Sequence, residues 1–218
     1  MPHDATLPPP CVGAQFDDLP QQRSAGSLGM WVFLTTETLF FGALFFAYAV
    51  ARSRYPEAFA SASRHTSLVL GTTNTAVLLT SSLCMALAAR AAMLRVRRTA
   101  AAFLVLTGVL GAVFIAIKLT EYAIDARDHL VPVLDFAFEP AALAQGAETF
   151  FWLYFTSTGL HLVHLSIGIA IVLVLAVRAW RSQAANLDST IEASGLYWHF
   201  VDMVWIFLYP LLYLVSRA

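Results

Sequence analysis

The chain has 218 residues, of which 59% are hydrophobic and only 12% are charged. Soluble globular domains carry about 25% charged residues, so this composition indicates an integral membrane protein. A formal net charge of −1 offers no basic surface to a nucleic acid. The apolar runs are long and continuous rather than alternating, which favours membrane-spanning helices over a closed barrel. The sequence therefore predicts an all-α membrane protein.

The first 27 residues differ in composition from the rest of the chain. They contain three consecutive prolines from Pro8 to Pro10 and several polar residues, which predicts a flexible tail over residues 1–27. Residues 28–218 are predicted to form a single transmembrane domain. Cys11 lies in the tail and Cys84 in an apolar run, so we expect no disulfide between them.

Five apolar runs in the domain are long enough to cross a bilayer, which takes about 20 helical residues. The predicted spans cover residues 29–50, 68–89, 100–122, 150–177 and 197–215. The segment Ser53 to Thr66 is predicted to be a surface loop, and a short surface helix is predicted near residues 140–146. Pro210 lies inside the fifth span and should kink it.

The distribution of arginines predicts the orientation of the bundle. An odd number of spans puts the two termini on opposite sides of the membrane. The densest basic cluster lies between the second and third spans, in a short loop that the positive-inside rule assigns to the cytoplasm. The sequence therefore predicts a cytoplasmic N-terminus and a periplasmic C-terminus. The cluster consists of Arg90, Arg95, Arg97 and Arg98.

Ionisable residues inside the spans are the candidate functional groups. Glu37 lies in the first span, where a carboxylate costs about 2.5–3.5 kcal/mol on insertion scales. Asp202 in the fifth span is predicted at a similar depth, with His199 one turn closer to the inner surface. His161 and His164 in the fourth span are predicted to lie higher. These residues suit either a proton site or a structural hydrogen-bond network, and their spacing leaves both readings open.

The pair His161 and His164 also invites a metal interpretation, which the pattern disfavours. Two histidines at i and i+3 on one helix cannot occupy opposite axial positions of one haem, and zinc would need a third ligand. No Cys/His cluster or nucleophile motif accompanies them. The sequence therefore predicts no metal, no cofactor and no catalytic residue in this chain.

Other polar residues in the spans are assigned structural roles. Asn74 is expected to form an interhelical hydrogen bond. Lys118 and Glu121 are i, i+3 neighbours near the end of the third span, and we expect them to pair and to extend towards the membrane interface. The second span also carries a face of small residues, which suits either internal packing or contact with another subunit. That face consists of Thr72, Ala76 and Thr80.

Three motifs resemble one protein family. The run from Gly29 to Gly42, GMWVFLTTETLFFG, resembles the span of haem–copper oxidase subunit III that carries a buried glutamate. The run TGLHLVHLSIG, from Thr158 to Gly168, resembles the TGxHxxHxxxG motif of that family. The run YWHFVDMVW, from Tyr197 to Trp205, resembles its YWHFVDxVW signature. The chain is similar to the short bacterial form of the family, which has five spans and lacks the first two of the longer form.

The resemblance implies a non-redox subunit of a respiratory cytochrome c oxidase in the bacterial inner membrane. Its partners would be subunits I and II, which hold the haem and copper, and cytochrome c would reach it only through the complex. The subunit would help to keep subunit I active and would lie near the entrance of a proton pathway. Glu37 matches the membrane-buried, carbodiimide-reactive glutamate of the family, and Arg178 matches an arginine that contacts a phospholipid headgroup. Motif positions without individual roles are His161, His164, Trp198, His199 and Asp202.

The resemblance leaves two alternatives open. The segment Phe207 to Tyr213, with Pro210 inside it, also resembles the accessory proteins of nitric oxide reductase that share the fold. Quinol oxidases have a similar third subunit. The sequence therefore indicates the family and not the electron donor of the complex.

Overall fold

The computed structural model describes residues 19–132, 136–181 and 187–214. Within these ranges the chain forms six α-helices, a 3₁₀ turn at Ala141–Leu143 that leads into the fifth helix, and a π-helical turn at Pro210–Leu214 that extends the sixth. The helices are α1 Leu19–Arg54, α2 Pro56–His65, α3 Leu68–Met93, α4 Arg97–Arg127, α5 Ala144–Trp180 and α6 Leu187–Tyr209.

Five of these helices are long and apolar enough to cross a membrane, which confirms the predicted number and order of spans. The spanning segments are Ser24–Arg54, Leu68–Met93, Arg97–Arg127, Ala141–Trp180 and Leu187–Leu214. Each helix extends past the apolar window that predicted it, because polar residues at a helix end can stay helical outside the membrane core. Within the described part of the chain, the short helix predicted near residues 140–146 is instead the 3₁₀ turn and the beginning of α5.

The beginning of α1 differs from the prediction. The helix begins at Leu19, so residues 19–27 of the predicted flexible tail are helical. Residues 1–18, and Cys11 with them, lie outside the described residues. Because α1 is longer than predicted, Glu37 lies about 20 Å along the helix from Ser24, at 1.5 Å per residue. This position is close to the middle of the span, deeper than the sequence had indicated.

The segment predicted as a surface loop between the first two spans contains the helix α2. Pro56 opens this helix at its first position, where a missing N–H has no cost. Phe59 is fully buried, and its ring packs edge-on against Tyr48 of α1 and Phe150 of α5, at centroid distances of 5.3 and 5.4 Å. The prediction of a surface loop was wrong because α2 has an apolar face that closes one end of the bundle.

The core lies between α3, α4, α5 and α6. Trp198 of α6 is 1% exposed and fills the space beside Gly111 of α4 and Gly168 of α5. A Cβ on Gly111 would approach the Trp198 ring to 2.9 Å, and one on Gly168 would approach it to 3.2 Å. Glycine at these two positions therefore allows a large indole between the helices.

Helix α1 lies at the side of this core, against α5 and α6. Only 11% of its spanning window is buried, compared with 33–50% for the other spans. Among the described side chains of α1, the buried ones are Leu34, Phe41 and Tyr48, which are spaced seven residues apart. This spacing places them on one narrow stripe of the helix. Most of the surface of α1 is therefore left for lipid or another protein.

The last span changes its helical geometry at Pro210. Proline has no N–H to donate to the preceding turn, and α6 ends at Tyr209 and continues as the π-helical turn. Leu212 and Tyr213 in that turn are buried. The helix type therefore changes at Pro210, and Tyr213 lies in the interior of the bundle, while the kink predicted for Pro210 stays a prediction.

Candidate functional site

Glu37 of α1 forms a pair with His164 of α5. Oε2 of Glu37 lies 3.1 Å from Nε2 of His164, and the two side chains are 19% and 15% exposed. Nδ1 of His164 lies 2.8 Å from the backbone oxygen of Leu160. A carbonyl oxygen only accepts hydrogen bonds, so Nδ1 must carry a hydrogen.

This tautomer determines what the pair can do. With Nδ1 protonated, a neutral imidazole accepts the proton of Glu37 at Nε2, and a charged imidazolium donates from Nε2 to the carboxylate. In both arrangements one proton lies between Glu37 and His164. The pair can therefore hold a proton inside the membrane without leaving an unpaired charge there.

The packing of α1 on α5 fixes the geometry of the pair. Glu37 lies three residues after Leu34 and four before Phe41, which places it on the buried stripe of α1. The ring of Phe41 packs edge-on against His164 at a centroid distance of 5.4 Å. The hydroxyl of Tyr197 on α6 donates to the backbone oxygen of His164 at 2.9 Å. Three helices therefore meet at this site.

His161 lies in a different environment from His164. It is fully buried, with its ring 5.5 Å from Phe114 of α4 and 5.3 Å from Trp205 of α6. Within the described ranges neither of its ring nitrogens has a hydrogen-bond partner. The two histidines of the motif therefore face different neighbours, His164 towards α1 and His161 towards the core.

Asp202 and His199 of α6 do not join Glu37 through any hydrogen bond in the described part of the chain. Nδ1 of His199 lies 2.7 Å from Oγ of Ser82, which links α6 to α3. Asp202 is 3% exposed, and neither of its oxygens makes a hydrogen bond with the described residues. Asn74 is likewise buried without the interhelical hydrogen bond that was predicted for it, as far as the described residues show. The predicted polar group thus divides into separate sites.

Arg178 lies in the last turn of α5 and is exposed. Trp180, two residues further on, is 69% exposed. Both residues lie about 20–25 Å along α5 from His164, at 1.5 Å per residue. No group of three or more His, Cys, Asp or Glu side chains that could hold a metal ion occurs among residues 19–132, 136–181 and 187–214.

A second polar cluster lies where the sequence predicted only an interfacial pair. Lys118 is completely buried, and its Nζ lies 2.9 Å from Oε2 of Glu121. The same nitrogen donates to the hydroxyls of Tyr154 at 2.8 Å and Tyr213 at 2.7 Å. The predicted pairing is confirmed, but the predicted extension to the membrane interface was wrong.

The partners of Lys118 explain why it stays inside. Four aromatic rings lie within 4.2–5.8 Å of its ammonium group, which adds cation–π attraction to the three hydrogen bonds. Lys118 lies nine residues before the end of α4. This depth within the span indicates a buried lysine and could have been recognised in the sequence. Tyr154 and Tyr213 come from other elements, and the sequence around Lys118 does not indicate them. The rings belong to Tyr122, Tyr154, Trp205 and Tyr213.

Comparisons with known proteins point to one family. Residues 21–217 match the family model described as cytochrome c oxidase subunit III. The chain is 30% identical to cytochrome c oxidase subunit 3 of Alkalihalophilus pseudofirmus, over 87% of this chain and 86% of that protein. It is 30% identical to cytochrome bo(3) ubiquinol oxidase subunit 3 of Pseudomonas aeruginosa, over 94% and 92%.

A third relative combines two subunits in one chain. The heme-copper oxidase subunit I+III of Aeropyrum pernix is 29% identical over 85% of this chain, which covers 22% of that longer protein. The family model matches nearly the whole chain, and five of the helices are long and apolar enough to cross a membrane. The chain therefore belongs to the cytochrome c oxidase subunit III family.

Proposed function

We propose that the chain is the non-redox third subunit of a respiratory cytochrome c oxidase in the bacterial inner membrane. It binds subunits I and II, which hold the haem and copper, stabilises subunit I and supports proton uptake while the complex reduces oxygen. Family membership supports the association with the catalytic subunits. The relative from Aeropyrum pernix, named as a fusion of subunits I and III, supports a contact between these two.

The observation that carries the proton role is the pair of Glu37 and His164. A single proton between a carboxyl oxygen and an imidazole nitrogen has two arrangements with the same net charge, so the proton can move from one side chain to the other without leaving a net charge in the membrane. Both side chains are partly exposed on the side of the bundle where α1 packs loosely. A neighbouring subunit or a water chain can therefore reach the pair.

The other candidate residues fit this proposal in different ways. His199, through its contact with Ser82, holds α6 against α3. His161 and Asp202 are buried polar groups that ordered water would satisfy. Exposed Arg178 at the end of α5 suits a phospholipid phosphate, because arginine presents several N–H donors to an anionic oxygen. The arginines around the turn between α3 and α4 support a cytoplasmic N-terminus by the positive-inside rule.

The substitution Glu37→Gln tests the proton role. Glutamine keeps the size and polarity of the side chain, but it cannot carry the shared proton. We expect the variant chain to assemble with subunit I, and we expect proton uptake in the assembled complex to slow several-fold. Assembly is measured by co-purification with subunit I, and proton uptake by the pH change that follows oxygen addition to the reduced complex in vesicles.

Thr35→Val is the matched control on the same helix. Thr35 is exposed, and its hydroxyl donates to the backbone oxygen of Trp31 one turn earlier, at 2.8 Å. This variant should leave both assembly and proton uptake unchanged. Loss of assembly in Glu37→Gln would give the glutamate a structural role, and normal proton uptake in the assembled variant would refute the proton role.

A quinol oxidase is the second candidate for the complex. The relative from Pseudomonas aeruginosa carries that description and matches 94% of this chain, at the same identity as the cytochrome c oxidase relative. The purified complex decides between them. A copper-A subunit II and oxidation of reduced cytochrome c indicate the first candidate, whereas oxidation of a quinol without cytochrome c turnover indicates the second.

A further inference from the structure

The cluster around Lys118 forms a directional hydrogen-bond network. Lys118 uses all three of its protons, for Glu121, Tyr154 and Tyr213. Tyr213 in turn donates to both oxygens of Glu121, at 2.8 and 2.9 Å. Tyr154 donates to Oδ2 of Asp125 at 3.1 Å. Each tyrosine hydroxyl thus accepts a hydrogen bond from the lysine and donates a hydrogen bond to a carboxyl group.

The charges of this network do not balance. It contains one cation, Lys118, and two carboxyl groups, Glu121 and Asp125. Glu121 contacts the ammonium group directly and receives the stronger set of hydrogen bonds, so the lysine balances its charge. Among the described residues, the carboxyl group of Asp125 accepts one hydrogen bond, from the neutral hydroxyl of Tyr154, and Asp125 is 3% exposed. An unbalanced buried carboxylate costs several kcal/mol, and binding a proton removes that cost.

Among the described residues, Lys118 is the cation that acts on Asp125, and no second cation acts on it. The charged groups that act on it are Glu121 and Lys118 and, more weakly, Asp128. Asp128 is exposed and immediately follows the end of α4, so Asp125 lies within one turn of the surface. The titratable groups facing it from the packed elements are Lys118, Glu121, Tyr122 and Asp128 from the region of α4, Tyr154 from α5 and Tyr213 from the π-helical turn.

We propose that Lys118, Glu121, Asp125, Tyr154 and Tyr213 form a second proton-holding site. In it Asp125 carries one proton that exchanges with water at the end of the bundle where α4 terminates. The site is separate from Glu37 and His164, because Tyr154 precedes His164 by ten residues, about 15 Å along α5.

Infrared spectroscopy of the purified full-length chain in lipid nanodiscs tests the proposal. A protonated carboxyl group has a carbonyl band that is distinct from that of a carboxylate, and the band shifts to lower frequency in D₂O when its proton exchanges. We expect Asp125→Asn to remove the intensity of one exchangeable carboxyl group from the spectral region in which protonated carboxyl groups absorb. Asp128→Asn is the matched control, since it makes the same change three residues further along the chain and should leave the region unchanged.

A second variant keeps the test decisive if Asp125→Asn does not fold. Tyr154→Phe removes the hydroxyl that donates to Asp125, so the carbonyl band should persist and move to higher frequency. Circular dichroism verifies that each variant is folded. The proposal is overturned if the folded Asp125→Asn variant keeps the full intensity of the carbonyl band of protonated carboxyl groups. It is also overturned if the part of that band assigned to Asp125 does not shift in D₂O, or if Tyr154→Phe leaves the frequency of that band unchanged.

Discussion

Replacing Lys118 by methionine should destabilise the bundle strongly. Methionine has a similar length but no charge and no N–H donors. The change removes three hydrogen bonds of 2.7–2.9 Å and leaves Glu121, which is 1% exposed, without its cation. Removing one partner of a buried ion pair costs about 3–5 kcal/mol, mainly because the other charge is left uncompensated. We expect a loss of that size in the free energy of unfolding.

The same reasoning predicts that a second substitution restores stability. In Lys118→Met with Glu121→Gln no charge remains to be compensated, and the hydroxyl of Tyr213 can still donate to the amide oxygen. The double variant should therefore be more stable than Lys118→Met alone by about 0.5–3 kcal/mol, the usual range of coupling between contacting residues. Unfolding in mixed micelles of increasing SDS content, followed by tryptophan fluorescence, measures the free energy of unfolding of the parent chain, of Lys118→Met and of the double variant.

Arg127→Met is the control for the loss of a positive charge from α4. Arg127 is exposed in the last turn of the helix, so its replacement should change the unfolding free energy by less than about 0.5 kcal/mol. The reasoning is refuted if Lys118→Met costs no more than this control. It is also refuted if the double variant is no more stable than Lys118→Met, since the cost would then come from packing and not from the uncompensated charge.

Two further predictions concern burial and close packing. Lys118 is the single lysine of the sequence. An amine-specific reagent should therefore label the native protein only at its N-terminus and should reach Lys118 only after denaturation. Peptide mass spectrometry identifies the labelled residues, and labelling of Lys118 in the folded protein would contradict its burial. Gly111→Ala should lower stability by about 1–3 kcal/mol, because the new methyl group meets the ring of Trp198 at 2.9 Å. A methyl group at Gly159 would have no neighbouring atom within 4 Å, so Gly159→Ala should leave the stability unchanged in the same SDS unfolding assay. Equal effects of the two substitutions would contradict the close packing of Trp198 against Gly111.

Much of the architecture was predictable because the signal is local. A membrane helix must satisfy its own backbone and present an apolar surface to lipid, so each span is visible as a continuous window of sequence. The five spans, the position of Glu37 in the first of them, and the motifs of α5 and α6 follow from such windows. The helical residues 19–27 and the helix α2 were missed, because their polar composition hides them from a search for apolar windows, although α2 buries Ala58, Phe59, Ala62 and Ser63.

What the tertiary structure decided was which polar groups meet. Depth along a helix is readable from sequence, but rotation about the helix axis depends on how neighbours pack, here on Trp198 between two glycines and on the narrow stripe of α1. That rotation pairs Glu37 with His164 and turns His161 into the core. It also brings Tyr154 and Tyr213, from two other elements, onto Lys118. The sequence by itself determined the spans and the family, whereas the partners of the buried charges depended on contacts between distant helices, which no local pattern encodes.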